Sequence, residues 1–369
     1  MTRAKSSIFR KLRAVFLIGA AALLSGCNLV LLNPAGDVAQ QQGDLIVYAT
    51  IMMMLIIGPV MALTVFFAWQ YRASNEMARY EPEWGHSISL EIVVWAVPLA
   101  IIVVLAGLTW VATHRLDPYA DLRRISETQA IDPDVEPMEI KVIALDWKWL
   151  FIYPDEQIAT VGEMAVIKDR PVEFKLTSNT VMNAFYIPDM AGMIYAMAGM
   201  ETELNAVLNA PGTFEGFAAN YNGGGFSQMR FDTVSFETEA EFADWVAQVR
   251  AQSDDMLSDA SFNTLAKPSI QEGVTFFDGL EDGVYDRILN MCTVPGTLCL
   301  DDQMMVDALG GGGIDGLYNR MLFAGLCDAD DPRALMALLR PELRADEDSL
   351  LAVLMPPLQS EPFLQSRSN

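Results

Sequence analysis

The sequence predicts a membrane-anchored all-β protein: a two-helix transmembrane hairpin, then a β-sandwich, then a helical C-terminal extension. Three observations carry this reading. Two uncharged apolar runs, residues 45–69 and 92–112, are long enough to cross a bilayer as helices, which takes roughly 20 residues. From about residue 139 to 237 apolar and polar residues alternate, as in Val172-Glu173-Phe174-Lys175-Leu176-Thr177, the period of strands with one buried face. After Thr238 the period becomes helical, with Phe242, Trp245, Val246 and Val249 on one side.

Composition sets the outer bounds. The chain has 369 residues, 52% of them hydrophobic. That is too apolar for a wholly soluble protein and too long for one small domain. Acidic residues outnumber basic ones 48 to 24, a formal charge of −24. Such a surface repels nucleic-acid phosphates and reads as a solvated acidic shell rather than a recognition patch. The four cysteines form no C-x-x-C pair, so neither a zinc ribbon nor a thioredoxin-like site is suggested.

The N-terminus reads as an export signal over residues 1–26. Arg3, Lys5, Arg10, Lys11 and Arg13 precede an apolar run that ends in Leu24-Ser25-Gly26-Cys27. A basic start, a short apolar core and small residues before a cut describe a secretory signal. A polar spacer, residues 27–44, leads to the first span at 45–71. A loop at 72–89 and a second span at 90–113 follow. Backbone groups of such helices satisfy one another, and Pro59 and Pro98 are tolerated within them. Trp69, Tyr71, Trp84 and Trp110 fall near the ends, as an aromatic belt would.

Arginines do not orient this hairpin, because Arg72 and Arg79 lie in the loop while Arg115, Arg123 and Arg124 lie beyond the second span. An exported N-terminus does orient it. Two crossings return the chain outside, and long domains translocate largely regardless of charge. The loop is then cytoplasmic and the sandwich periplasmic. Glu91 stands at the mouth of the second span, after His86, Ser87 and Ser89. A carboxylate there suits the helix dipole and the unpaired amides; an ionisable group at a membrane boundary also suits a proton path. His86 and His114 fall on opposite sides of the membrane and cannot share a metal.

Residues 114–137 are polar, contain Pro118, Pro133 and Pro137, and read as a linker. The sandwich is expected over 138–237, with the aromatic run Trp147-Lys148-Trp149-Leu150-Phe151 as core. It contains neither cysteine nor histidine, and soft-metal sites need thiolate or imidazole donors. An aromatic-rich helical segment, 238–268, opens on Thr238-Glu239-Ala240-Glu241, a capping box. Residues 269–369 form an acidic extension with a glycine run at 310–313, read as a flexible link, and short helical patterns at 335–339 and 350–354. Cys292 and Cys299 are candidates for a disulfide outside the membrane, which leaves Cys327 unpaired.

The order of these parts resembles subunit II of the haem–copper respiratory oxidases, on the cytochrome bo-type ubiquinol oxidase branch. The residues that carry it are Leu23-Leu24-Ser25-Gly26-Cys27-Asn28, Phe67-Ala68-Trp69-Gln70-Tyr71-Arg72-Ala73-Ser74-Asn75 and Glu91-Ile92-Val93-Val94-Trp95-Ala96-Val97-Pro98. Asp146-Trp147-Lys148-Trp149-Leu150-Phe151-Ile152-Tyr153-Pro154, Thr177-Ser178-Asn179, Val181-Met182-Asn183 and Ile194-Tyr195-Ala196-Met197-Ala198-Gly199-Met200 add to it. The likeness covers residues 23 to 268 and leaves the tail beyond outside.

The resemblance implies a cupredoxin-like Greek-key sandwich. In the cytochrome c branch that domain holds a dinuclear copper centre. Its ligand positions fall here on Asn183, Ala218, Asn220, Asn222 and Phe226, with only Met229 keeping its type. The expectation is therefore no metal and no catalytic residue in this chain. Haems and copper would sit in a partner subunit I, and ubiquinol would be the substrate of the complex. Further implied are acylation of Cys27, Glu91 at a proton-channel entrance, subunits III and IV as additional partners, contact with membrane lipid, no nucleic acid, and a place in the bacterial inner membrane. Two other readings stand beside it: a cytochrome c oxidase subunit II, and a membrane-tethered periplasmic binding lipoprotein.

Overall fold

A computed structural model describes residues 30–79, 83–132, 135–270 and 273–308. The signal segment, Cys27, Cys327, the glycine run and the helical patterns after it lie outside these residues. The chain divides into two units, Met1–Asp282 and Gly283–Asn369.

In the first unit helix α1 spans Asp37–Gln70 and α2 spans Ile88–Arg115. Pro59 and Pro98 sit inside them without ending either helix. Along both apolar stretches large side chains face outward, among them Ile51, Phe66, Trp95 and Val103. A soluble protein would bury such surface; a membrane solvates it. The first helix starts at Asp37, well before residue 45, where the polar spacer was expected to run on. The reason is tertiary. The first amides of a helix lack internal partners, and here the sandwich supplies them: Gly36 N donates to Asp189 O at 2.7 Å and Ala39 N to Met190 O at 3.3 Å.

The linker is not wholly irregular. Strands β1 (Arg124–Ser126) and β2 (Gln129–Ala130) form a small antiparallel pair within it, too short to leave a periodic signal.

Ten strands follow in the sandwich: β3 (Met138–Leu145), β4 (Lys148–Tyr153), β5 (Ile158–Val161), β6 (Glu163–Ile167) and β7 (Val172–Ser178), then β8 (Asn183–Tyr186), β9 (Ile194–Ala196), β10 (Thr202–Ala206), β11 (Gly212–Ala218) and β12 (Arg230–Phe236). One sheet runs β10-β7-β3-β4-β5 and the other β6-β12-β11-β8-β9. Neighbours are antiparallel except β3 with β7 and β12 with β6. Between the sheets Trp149, Phe151, Phe174, Phe185 and Phe231 interlock, with ring centroids 4.9 to 5.9 Å apart for the closest pairs. Edge-to-face and offset aromatic pairs add to the burial they bring.

Helix α3 (Glu239–Gln252) packs its apolar side, Phe242, Trp245, Val246 and Val249, into that core. Thr238 Oγ1 accepts from Glu241 N at 3.3 Å as a cap should. The return bond differs from a capping box, since Glu241 Oε2 accepts from Glu237 N rather than from Thr238 N.

The sheet does not stop at residue 237. After β13 (Met256–Leu257) and helix α4 (Asp259–Leu265), strand β14 (Thr275–Phe277) pairs antiparallel with β5 and completes a six-stranded sheet. A further strand, β15 (Gly279–Leu280), pairs with β13. Residues 269–282, assigned from sequence to the acidic extension, therefore belong in part to the sandwich. A run of three residues carries too little alternation to announce itself.

In the second unit helices α5 (Val284–Leu289) and α6 (Leu300–Ala308) flank a disulfide between Cys292 and Cys299, whose Cα atoms are 4.8 Å apart.

Candidate functional site

Two places follow from the sequence: the loops between strands at one end of the sandwich, and the start of α2.

The loop positions come from different elements. Asn183 opens β8, Ala218 closes β11, and the segment from Asn220 to Met229 joins β11 to β12 through a single 3₁₀ turn, Phe226–Gln228. Asn183, fully buried, Asn222 and Met229 are brought into contact. Asn222 Nδ2 donates to Asn183 Oδ1 and, at 2.9 Å, to Met229 Sδ. Asn183 Nδ2 in turn donates to Val181 O at 2.8 Å. The other three positions are not part of this cluster. Asn220 Nδ2 donates to Met182 O at 3.2 Å, Phe226 stacks edge-on against Tyr221, and Ala218 offers only a methyl group.

Trp147 covers the cluster. It occupies the two-residue turn between β3 and β4 with φ 65°, a left-handed conformation that a bulky side chain adopts only under tertiary constraint. Its indole Nε1 donates to Asn222 O at 3.4 Å. The ring lies so close to Gly225 that a Cβ there would approach it to 2.4 Å. Sequence reasoning placed both Trp147 and Trp149 in the core. Trp149 is there, 1% exposed, while Trp147 is a half-buried lid on the loop. The glycines at 223–225 were the available signal for that approach.

These donors do not fit a dinuclear copper centre. Such a site takes thiolates and imidazoles; the cluster offers two carboxamides already bonded to each other and one thioether, a weak ligand. Among the described residues no group of three or more His, Cys, Asp or Glu side chains converges on a metal-sized site.

At the other place, Glu91 lies in the first turn of α2, whose N-cap Ser87 makes no side-chain cap bond. Its Oε1 is 3.3 Å from His86 Nε2, and both side chains are more than half exposed. The sequence placed His86 just before Glu91 but assigned it no role beside that carboxylate; the contact between them is what the fold adds. His114, at the far end of α2, bonds its own helix through Nδ1 to Trp110 O at 2.8 Å.

A buried cation, also missed, lies beside the sandwich. Lys148 Nζ, on a residue 4% exposed, donates to Leu265 O at 2.6 Å, Lys267 O at 2.8 Å and Ser269 Oγ at 2.6 Å. Burial lowers its pKa, against the raising effect of Asp146. This clamp is structural: it fixes the chain leaving α4.

Comparison with known proteins places these features. The family described as COX Aromatic Rich Motif matches residues 251–296. That extends the likeness beyond residue 268, where the sequence reading ended it. The periplasmic domain of subunit II of cytochrome oxidase from Bradyrhizobium japonicum is 22% identical, covering 33% of this chain and 99% of its own, with a TM-score of 0.31. Over longer stretches, cytochrome bo(3) ubiquinol oxidase subunit 2 of Pseudomonas aeruginosa is 46% identical across 73% of this chain and 78% of its own. That of Pseudomonas putida is 48% identical across 73% and 82%. Identities of 46% and 48% over 73% of this chain, covering 78% and 82% of the relatives, mean that the chain belongs to subunit II of the cytochrome bo-type ubiquinol oxidases.

Proposed function

We propose that the chain is a metal-free, non-redox subunit of a proton-pumping terminal oxidase that oxidises ubiquinol and reduces oxygen to water, its haems and copper being held by subunit I. The observation that carries this is the Asn183–Asn222–Met229 cluster. Where a copper-bearing sandwich needs thiolates and imidazoles, this one joins its loops by hydrogen bonds from the Asn222 side-chain amide to Asn183 and Met229. The periplasmic domain then has no carrier for an electron. A donor dissolved in the lipid needs none there, in line with the ubiquinol named for the relatives.

In this reading the hairpin packs on subunit I and the sandwich caps it from outside, in a complex completed by subunits III and IV. The chain sits in the bacterial inner membrane with Cys27 acylated at its mature N-terminus, which mass spectrometry of the N-terminal peptide reads directly. Glu91 stands at a proton-channel entrance, with His86 beside it.

The test is the optical spectrum and metal content of the chain and its complex. Haem should copurify with the complex, and the periplasmic domain should contain no copper. A purple dinuclear chromophore in that domain overturns the reading. Separately, Glu91→Ala should slow proton-coupled turnover severalfold with the complex intact; unchanged turnover removes the channel role. A cytochrome c-linked subunit is the second reading, and the donor set at the ligand positions counts against it.

A further inference from the structure

We propose that the junction of hairpin and sandwich holds the headgroup of an outer-leaflet phospholipid, one that carries a phosphodiester and a primary ammonium. A cavity of about 380 Å³ opens there, between the first turns of α1, the end of α2, the linker and the sandwich edge at Gly192–Met193 and Leu204–Asn205. Its size falls in the range of small-ligand sites, roughly 300–1,000 Å³.

Depth is the first argument. Gln41 and Gln42 line the cavity, and the apolar run of α1 begins at residue 45. At about 1.5 Å per residue this sets them roughly 4–6 Å above the hydrocarbon. Arg115, also in the lining, lies three residues past the end of the apolar run of α2, at a similar height of about 4–5 Å. Lipid headgroups occupy a layer of roughly 5–7 Å on each side of the hydrocarbon core. The cavity therefore opens at the level of the phosphates.

Charge is the second. Three arginines and three aspartates line the space: Arg115, Arg123, Arg124, Asp37, Asp117 and Asp121. One pair is already spent, with Arg124 Nε on Asp37 Oδ2 at 2.9 Å. Asp37 also accepts from Gln41 Nε2 at 2.8 Å. Arg115 and Arg123 have no carboxylate at ion-pair distance among the described residues, and neither Asp117 nor Asp121 has a cation. A guanidinium binds a phosphodiester through paired N–H donors. Asp117, whose Oδ1 accepts from Tyr119 N at 3.1 Å, and Asp121 line the same space and set the charge met by whatever the phosphate carries. A purely anionic headgroup would be repelled by them; an ammonium-bearing one satisfies both sets. Leu116 and Leu122, also in the lining, offer apolar surface for the glycerol end.

The test uses the full-length chain with whatever subunits copurify, so its outcome does not depend on the oxidase reading. Native mass spectrometry during stepwise delipidation, after reconstitution with phosphatidylethanolamine or phosphatidylglycerol, counts the lipids retained. Wild type should hold one more phosphatidylethanolamine than Arg115→Gln/Arg123→Gln. The charge-keeping Arg115→Lys/Arg123→Lys pair should restore it in part, and Asp117→Asn/Asp121→Asn should shift the preference toward phosphatidylglycerol. Equal retention by wild type and the glutamine pair overturns the site. If the glutamine pair does not assemble, an unchanged headgroup preference in the asparagine pair overturns it instead. Displacement of the lipid by excess inorganic phosphate assigns the arginines to a free anion, and a protein cross-link from a photoreactive residue at Met193 assigns the cavity to a neighbouring subunit; either result overturns the proposal.

Discussion

Gly225 decides whether the loop over the amide cluster can close. With no Cβ it lets the Trp147 indole lie against the backbone, and any side chain would meet that ring at 2.4 Å. Gly225→Ala should therefore displace Trp147 at a cost of about 1–3 kcal/mol, the usual penalty for overpacking. Gly224→Ala is the control, since a Cβ there meets nothing within 4 Å. Tryptophan fluorescence and denaturant unfolding of the two variants read the difference; equal behaviour would mean the lid does not matter. A second prediction concerns pH. Burial raises the Glu139 pKa, but Lys175, hydrogen-bonded at 2.8 Å, and Lys141 at 3.5 Å more than offset it and leave it below the ordinary 4.5. The same bond, against desolvation, holds Lys175 above 10.5. The carboxylate's contribution is then complete above pH 4.5 and lost as pH falls through the depressed value. The ammonium's is complete below pH 10.5 and lost as pH rises through the raised one. Glu139→Gln should cost about 1 kcal/mol at neutral pH. That gap should close in acid, as urea unfolding at the two pH values would show.

At the scale of elements, β4 is buried on both faces along its whole length. Val142, Trp149, Phe151 and Tyr153 point between the sheets, while Ile143, Leu145, Leu150 and Ile152 are buried on the opposite side. Lys148 ties the chain at Leu265–Ser269 to this strand. Lys148→Met keeps the stem and removes the three donors, leaving two carbonyls and a hydroxyl without them. The expected cost is about 1–3 kcal/mol, with hydrogen-exchange protection lost first over residues 266–269 and β14. Unchanged protection there would show that the tail is held by packing alone. How far the elements were legible follows from their length. Spans, long alternating strands and α3 repeat their pattern over enough residues to be read. The pairs β1–β2 and β13–β15, and the edge strand β14, comprise two or three residues each and exist because a neighbour completes their bonds. That Asn183, Ala218, Asn220, Asn222, Phe226 and Met229 offer neither thiolate nor imidazole was legible in the sequence. Their collapse into an Asn–Asn–Met contact under Trp147 was not, because it depends on a turn with positive φ and on glycines that only the fold brings beneath the ring.

For the whole molecule the decisive feature is how the hairpin joins the sandwich. A polar spacer would let the periplasmic domain swivel. Instead α1 begins inside the sandwich rim, and Gly36 passes so near the Val207 and Met190 carbonyls that a Cβ would lie 2.5 and 2.7 Å from them. Asp37, 5% exposed by its side chain, then receives Arg124 Nε from the linker, across 87 positions of sequence. One buried carboxylate thus ties the helix start to the linker, while the backbone bonds of Gly36 and Ala39 tie it to the sandwich. Asp37→Asn preserves the shape and removes the charge, leaving Arg124 with a weaker partner. Because the guanidinium is about one-third exposed, the expected cost is modest, about 1–2 kcal/mol. The effect should be local. Limited proteolysis should cut faster within residues 117–137, while the aromatic core, probed by near-ultraviolet dichroism, stays intact. Removing the arginine as well, in Asp37→Asn/Arg124→Gln, should recover part of the loss, since the coupling belongs to the pair. A double variant as labile as the sum of its two single variants would mean that backbone bonds from Gly36 and Ala39 alone fix the junction, and that the charge pair is incidental to it.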